Sequence, residues 1–320
     1  MNTLDRELPL SPAAHPNAAL HQRKTSTLSA QRWKETLLGY IFLAPSLLLF
    51  VVFLFYPLVQ SVYLSVHETD PRGRVAGYVG LDNFVDIFTS DKFYKSLEVT
   101  GLFTLLTVPT GIVLSLLLAA LTHNHLRGMR IFQFVFSLPV VLSVGTSAVI
   151  WMMLYHPSVG MLNYLLSLAG MQPVAWLTDP KLALLSVSLM TIWMNLGFTY
   201  IVLLSGLQGI PDDIYDSAKI DGAGPFRTFV QIIMPLLSPT LFFVLIVSII
   251  GAFQSFGQIH ILTKGGPVDS TDVLVYSLYQ DAFINFRFGT GSAQALVLFV
   301  LILILTIVQF KAFERNVHYQ

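Results

Sequence analysis

The sequence predicts an all-α integral membrane protein with about six transmembrane helices and one short polar helix between the fourth and fifth. Three observations predict it. Of 320 residues, 54% are hydrophobic and only 11% charged, with a mean hydropathy of +0.68, far more apolar side chain than a soluble core of this size takes in. The charges are also grouped: six long stretches contain no Asp, Glu, Lys or Arg, and each is close to the ~20 residues a helix needs to cross a bilayer. Finally, a polar segment at residues 215–235 places charges and glycines between two of those stretches.

Taken in order, residues 1–36 are polar, carry Pro9, Pro12 and Pro16, and contain no long apolar run, which predicts a disordered tail. The apolar run that follows starts late and is long enough to span, so it reads as an uncleaved first membrane helix rather than a signal peptide. The predicted spans are residues 37–66, 99–122, 131–155, 182–207, 239–263 with a run-up from Thr228, and 288–310. The apolar stretches between Gly160 and Gly170 and at 273–279 are too short to cross and predict interfacial or loop helices. Pro45 and Pro57 fall in the first span, Pro109 in the second and Pro139 in the third; each removes a backbone donor and favours a kink. No linker or repeat divides residues 37–320, which reads as one membrane domain.

The polar helix can be read residue by residue. Pro211 suits the first position of a helix, where its missing N–H is not needed, and Asp212 and Asp213 place negative charge at the positive end of the dipole. The helix runs to about Ile220, where Gly222 and Gly224 offer the positive φ of a helix exit, and Pro225 can start a second helix. Spacing of four places Ile214 and Ala218 on one side and Asp212 and Asp216 on another. One face can pack while the other meets a charged partner.

Orientation follows the distribution of Lys and Arg between loops. An even number of spans leaves both ends on one side, with Arg6, Arg23, Lys24, Arg32, Lys34, Arg127, Arg130, Lys219, Arg227, Lys311 and Arg315; the other side has Arg72, Arg74, Lys92, Lys95, Lys181, Lys264 and Arg287. The excess predicts that both termini and residues 215–235 are cytoplasmic.

Within the spans, Asn195, Gln254, Ser255, Gln258 and His260 are polar residues in a costly place, where they tend to face a bundle interior. Gln254 and Gln258 are four apart with Ser255 adjacent, which predicts a polar stripe along the fifth span. Trp193 and Tyr200 flank Asn195 on the fourth. These aromatic, amide and hydroxyl groups form a candidate solute pathway, and hydrogen bonding between helices accounts for them equally well.

The composition also excludes function classes. A net charge of zero without a basic patch gives no nucleic-acid footprint. There is no Cys, and the scattered His residues form no ligand spacing, so no metal site is expected. The phosphate cradle Gly-x-x-x-x-Gly-Lys-Ser/Thr is absent; Gly265-Gly266-Pro267 follows Lys264 in a predicted outer loop. No charged residue lies within a span to relay protons. The chain therefore binds no cofactor of its own in this reading, and the energy for any transport comes from a partner ATPase.

Residues 215–235 read Tyr-Asp-Ser-Ala-Lys-Ile-Asp-Gly-Ala-Gly-Pro-Phe-Arg-Thr-Phe-Val-Gln-Ile-Ile-Met-Pro, which resembles the EAA loop of the membrane subunits of ABC importers. From residue 37 to 320 the chain is similar to the first permease subunit of carbohydrate-type importers, the maltose-permease-like group that includes glycerol-3-phosphate permeases. Gly80-Leu81-Asp82-Asn83-Phe84, Gly265-Gly266-Pro267 and the end Glu314-Arg315-Asn316-Val317-His318-Tyr319-Gln320 also match.

The resemblance implies the type I importer permease fold in the cell (inner) membrane and transport by alternating access, with a cytoplasmic coupling helix that docks in a cleft of an ATP-binding cassette ATPase dimer. It assigns coupling to Asp216, Ser217, Ala218, Asp221, Gly222, Ala223, Ile232 and Pro235. It further implies a second permease subunit as heterodimer partner, an external solute-binding protein, and a carbohydrate or glycerol-3-phosphate-like solute. Asp216 replaces the usual Glu and Ser217 the first Ala; the charge is kept on a side chain one methylene shorter. Met234 replaces the usual Leu before Pro235, a volume-conserving change. A self-sufficient secondary transporter or an intramembrane enzyme are the alternatives; the first calls for intramembrane charges or inverted halves and the second for a clustered acid, base or metal set.

Overall fold

Two proline-bearing helices show how this sequence keeps its spans helical. A computed structural model describes the backbone of residues 17–123 and 128–313. Helix α1 (Asn17–Phe50) passes through Pro45 and continues into a wide π turn, Val51–Phe55, closed by the Tyr56 N–H on the Val51 carbonyl, before α2 (Tyr56–Ser65). Pro57 lies just beyond that turn. It cannot donate to the carbonyl four residues back and its ring crowds that group, so a turn wider by one residue accommodates it. The same device recurs at Phe229–Ile233, two residues before Pro235.

The chain divides into two compact units, one ending at Gln60 and the other beginning at Ser61. In the first, residues 17–36 form the start of α1: no Pro or Gly interrupts 17–36, which is rich in Ala, Leu, Gln, Lys and Arg, all good helix formers continuous with an apolar span. Residues 1–16, Arg127 and the terminal 314–320 motif lie outside the described residues.

The second unit opens with a small hairpin, β1 (His67–Thr69) and β2 (Val75–Tyr78), antiparallel with a bulge between Glu68 and Thr69. Helix α3 (Asp82–Thr89) follows, then α4 (Asp91–Thr122), which begins eight residues before the predicted span because the polar turn Asp91–Glu98 continues the same helix. Next come α5 (Met129–Ser137), α6 (Val144–Leu154) and the short α7 (Met161–Leu168). Helix α8 (Ala183–Gln208) is the most buried of the long helices. Helices α9 (Asp212–Ile220), α10 (Pro225–Thr228) and α11 (Met234–Leu236) lead into α12 (Ser238–Phe253) and α13 (Gly257–Leu262). The short α14 (Leu274–Tyr279) and the long α15 (Phe288–Phe313) complete the described chain.

Among the described residues, five helices are long and apolar enough to cross a membrane, and the pair α5–α6 makes a sixth if counted as one span. The third span, expected as one helix kinked at Pro139, is instead two helices whose axes meet at 104°. Pro139 stands in a 3-10 turn at the break, Leu142 is extended, and the Ser143 hydroxyl caps α6 by accepting from the Thr146 N–H at 3.1 Å. The pair nevertheless connects the two ends of the bundle. Gln133 donates to the Thr122 carbonyl at 2.7 Å beside the end of α4, and Tyr155 donates to the Ser186 carbonyl at 2.8 Å beside the start of α8.

Helices α4 and α8 pack in parallel as the core. Phe103, Val108, Val187 and Met190 are buried together toward one end, and Ala119, Tyr200, Leu203 and Leu207 toward the other. At the hairpin end, Asn83 of the first loop motif donates from Nδ2 to the Ser65 and His67 carbonyls at 2.9 and 3.1 Å, and its Oδ1 accepts from Thr290 at 3.3 Å. One amide therefore ties the end of α2 to the start of α15. Another amide, the buried Asn163 of α7, bonds the Pro157 and Val174 carbonyls, the Val174 N–H and the Trp176 indole within 3.0 Å.

Candidate functional site

Helix α9 lies at the end of the bundle opposite the hairpin. Pro211 has ψ 141° and caps the helix from outside, so Asp212 rather than Pro211 is the first helical residue. Asp212 and Asp213 occupy the first turn and Lys219 the last, each on the favourable end of the dipole. The exit is a Schellman motif: the Ala223 N–H reaches the Ala218 carbonyl at 2.9 Å and the Gly222 N–H the Lys219 carbonyl at 3.1 Å. Gly222 supplies the positive φ of +72°, whereas Gly224 is extended and leads into Pro225 as the first residue of α10.

The faces of α9 separate sharply. Ala218 is buried, Ile214 and Tyr215 are half-buried, and Asp212, Asp213, Asp216, Ser217 and Lys219 are exposed. Tyr215 stacks on His123 at the end of α4, ring centroids 5.5 Å apart, and packs with Ile210 and Ile232 against the cluster around Leu207 and Leu237. Burial, with the nearby Asp212 charge, raises the Tyr215 hydroxyl above its ordinary value. A cavity of about 440 Å³ opens beside it, lined by His123, Gln208, Pro211 and Asp212 among others.

On the outer face Asp216 accepts from Lys219 Nζ at 2.9 Å, and this exposed pair raises the lysine's affinity for its proton. Asp221 and Gly222 are exposed, Ala223 half-buried and Pro235 exposed. Two large apolar side chains stand beside the acids: Ile220 is 86% exposed and Phe226 81%. Sequence reasoning overlooked them because the segment reads as polar. An acidic helix flanked by bare apolar side chains has the composition of half an interface.

The candidate pathway residues are not brought together. Tyr200 is fully buried, its hydroxyl 2.6 Å from that of Thr122 and its ring edge-on to Phe136, so it joins α8 to α4 rather than facing a solute. Trp193 is half-buried, its ring 5.9 Å from Trp151. The predicted stripe on the fifth span also fails. Helix α12 ends at Phe253, Gln254 has ψ 9° and Phe256 φ −117°, so the spacing of four no longer implies one face. Gln258 is consequently buried with its amide 3.5 Å from Thr191, Ser255 bonds its own helix at Gly251, and Gln254 is exposed.

Asn195 lies elsewhere on α8. It stands at the middle of α8, is exposed, and lines a cleft with Thr107, Gly111, Thr199 and Ser248 from three helices. The enclosed space is about 20 Å³, room for one water and no solute. A bare amide at the centre of an apolar helix is costly against lipid, so this face requires a protein or aqueous neighbour.

At the hairpin end a polar seam escaped the sequence reading. Lys92, Ser96 and Thr100 are four apart on α4, and each grips the segment around α14. Lys92 Nζ donates to Gln280 Oε1 at 2.8 Å, Ser96 Oγ to Asp272 Oδ2 at 3.2 Å, and Thr100 Oγ1 accepts from the Leu274 N–H at 2.8 Å. Asp272 is 1% exposed and its Oδ1 has no donor. The regular spacing was the available signal, but Lys92 had served only as a topology marker.

Burial pushes the Asp272 carboxyl up to about 6, against the opposing pull of Lys92 and Ser96. A raised carboxyl favours the folded state fully below the unfolded value of 3.8, and that advantage is lost as pH rises through about 6. Asp272→Asn is therefore expected to be more stable than the native chain at pH 7.5, on the order of 2–3 kcal/mol, with the difference shrinking toward pH 4. Thermal unfolding in detergent at the two pH values measures it.

Comparison with known proteins adds three findings. Residues 92–319 match the family described as binding-protein-dependent transport system inner membrane component. The chain is 35% identical over 286 residues to the sn-glycerol-3-phosphate transport system permease protein UgpA of Agrobacterium fabrum, covering 88% of this chain and 97% of the relative. It is 34% identical to the corresponding protein of Pectobacterium atrosepticum over 297 residues, 92% of this chain and 100% of the relative. Among solved structures, a chain of a bacterial alginate ABC transporter, crystallised with a periplasmic protein bound to an alginate pentasaccharide, superposes with a TM-score of 0.80 at 24% identity, covering 89% of this chain and 96% of that one.

Proposed function

Because the chain belongs to the family of binding-protein-dependent transport system inner membrane components, we propose that it works as the membrane-spanning permease subunit of an ATP-driven importer for a carbohydrate or glycerol-3-phosphate-like solute. It is a multi-pass membrane protein and a transport component rather than an enzyme. The coupling reading rests on one observation: α9 is packed on one side against the ends of α4 and α8 and presents acids, Ile220 and Phe226 on the other. In this reading α9 faces the cytoplasm, both termini lie on that side, and the exposed face enters a cleft of an ATPase dimer that holds and hydrolyses ATP. A helix of nine residues is about 14 Å long and is joined to α12 through residues 221–237, most of them in the short helical turns 225–228, 229–233 and 234–236, so its displacement is passed to the spans.

Asn195 and Gln254, exposed on apolar helices, support a second permease subunit across that face, with the solute passing between the two. The pathway groups are uncharged amides and hydroxyls, which suit the hydroxyls of a sugar or polyol. A phosphate dianion calls for Arg or Lys, and the charge-free stretches of the spans hold none; recognition of a phosphate ester then falls to the external binding protein.

The test is reconstitution of the assembled complex in liposomes with labelled sn-glycerol-3-phosphate and labelled neutral oligosaccharides. ATP-dependent, binding-protein-dependent uptake of either is expected, and the ratio assigns the solute. Uptake by the isolated chain without an ATPase would overturn the reading in favour of a secondary transporter.

A further inference from the structure

We propose that Lys92 and Asp272 are an exchangeable ion pair: Lys92 is held by Gln280 in the present conformation and closes on the free oxygen of Asp272 when the external end of the bundle rearranges during transport. The pair would latch the second span to the loop joining the last two. This rests on the permease reading and its orientation, and adds to them a positioning role for two residues.

The motivation is an incomplete site. Asp272 is 99% removed from solvent yet receives one hydrogen bond, from Ser96 at 3.2 Å, and leaves Oδ1 without a donor. Buried carboxylates in a purely structural role are fully bonded or paired. Lys92 is the principal charge opposing the effect of burial on Asp272. Lys92 also lies one turn from Ser96 on the same face of α4 and is engaged by a neutral acceptor, Gln280 Oε1 at 2.8 Å. A lysine with a flexible four-carbon stem can exchange one acceptor for the other by rotation.

Competing carboxylates are occupied. Asp281 accepts from Asn285 at 3.1 Å and from Gln294 at 2.7 Å, Glu98 is paired with Lys95 at 3.0 Å, and Asp269 is exposed. The backbone around Asp272 is also specialised: Lys264, Gly265, Val268 and Asp269 all have positive φ, and Thr271 bonds both the Gly266 carbonyl and the Thr263 hydroxyl, at 2.8 and 2.7 Å. These bonds fix the backbone just before Asp272, whose carboxylate meets Ser96, one turn from Lys92 on α4. Since the carboxylate costs stability, its retention points to use in another conformation.

The chain has no cysteine, so a Lys92→Cys, Asp272→Cys pair gives it a single possible internal thiol cross-link. Cross-linking with a short thiol reagent is expected to differ roughly tenfold between the nucleotide-free and ATP-trapped complexes, the scale of a coupled buried pair. Lys92→Met and Asp272→Asn should each lower solute moved per ATP by a similar factor while leaving ATPase association intact. The charge-reversed pair, Lys92→Asp with Asp272→Lys, should recover most of it. Equal cross-linking in both states, or a reversed pair no better than the worse single variant, overturns the latch. Lys92→Arg, which keeps the charge, and Lys92→Met, which removes it, make the same comparison with Asp272 intact. Native complex that neither transports nor hydrolyses ATP would instead count against the permease reading itself.

Discussion

Asp216→Lys is expected to abolish co-purification of the ATPase and ATP-driven uptake while leaving the membrane bundle folded. The local cost is small. Asp216 is exposed and paired with Lys219 in the same helix turn, and replacing it sets like charges three apart, a penalty of about 0.2–0.5 kcal/mol. What keeps α9 in place is elsewhere: buried Ala218, the Tyr215 ring on His123, and the Schellman exit at Gly222. At a docked interface the balance differs. Losing one partner of a desolvated, hydrogen-bonded charge pair costs about 2–5 kcal/mol, so association should weaken by at least ~30-fold.

Two controls sharpen the result. Lys219→Ala should be tolerated, because docking requires Lys219 to release Asp216 in any case. Asp216→Glu should retain uptake. Equal ATPase recovery with native protein and with Asp216→Lys would remove Asp216 from the coupling role and leave Ile220 and Phe226 as the anchors to examine.

How far this molecule is legible from its residues depends on the range of the physics involved. Spans are local: a charge-free run of sufficient length must be helical in lipid, and residues 182–207 match Ala183–Gln208 within one residue at each end. Helix α9 is local too, since its acids, Gly222 and Pro225 act within one turn. The reading failed where a contact between distant residues decides. Tyr200 looks like a pathway aromatic until Thr122, 78 residues away, takes its hydroxyl. Gln254 and Gln258 look like one stripe until the helix breaks between them, with no proline or glycine at 254–256 to announce it. The Lys92, Ser96 and Thr100 seam has helical spacing, but its importance comes from residues 272–280, between 174 and 188 positions onward. Spacing along one helix says which residues share a face, and says nothing of what that face meets.

Gly197→Val is expected to have the largest effect on folding. Gly197 lies in α8 where the broken third span crosses it, and a Cβ there would come within 2.7 Å of the Val140 nitrogen and 2.9 Å of the Ser137 carbonyl oxygen. Both are backbone atoms, so no rotamer change relieves the clash. Val140 belongs to the 3-10 turn at the 104° bend and Ser137 immediately precedes that turn. Small residues allow such approaches in membrane bundles, where packing replaces the hydrophobic drive that water supplies elsewhere. Forcing α5–α6 away from α8 would open a gap along both and cost about 3 kcal/mol or more, enough to remove most folded protein. The same substitution at Gly111, where nothing lies within 4 Å of the added atom, should be mild. Folded yield by size-exclusion chromatography in detergent compares the two variants. A Gly197→Val chain that elutes as native protein would mean that α5–α6 packs on α8 less closely than the bend implies, and that its halves move independently.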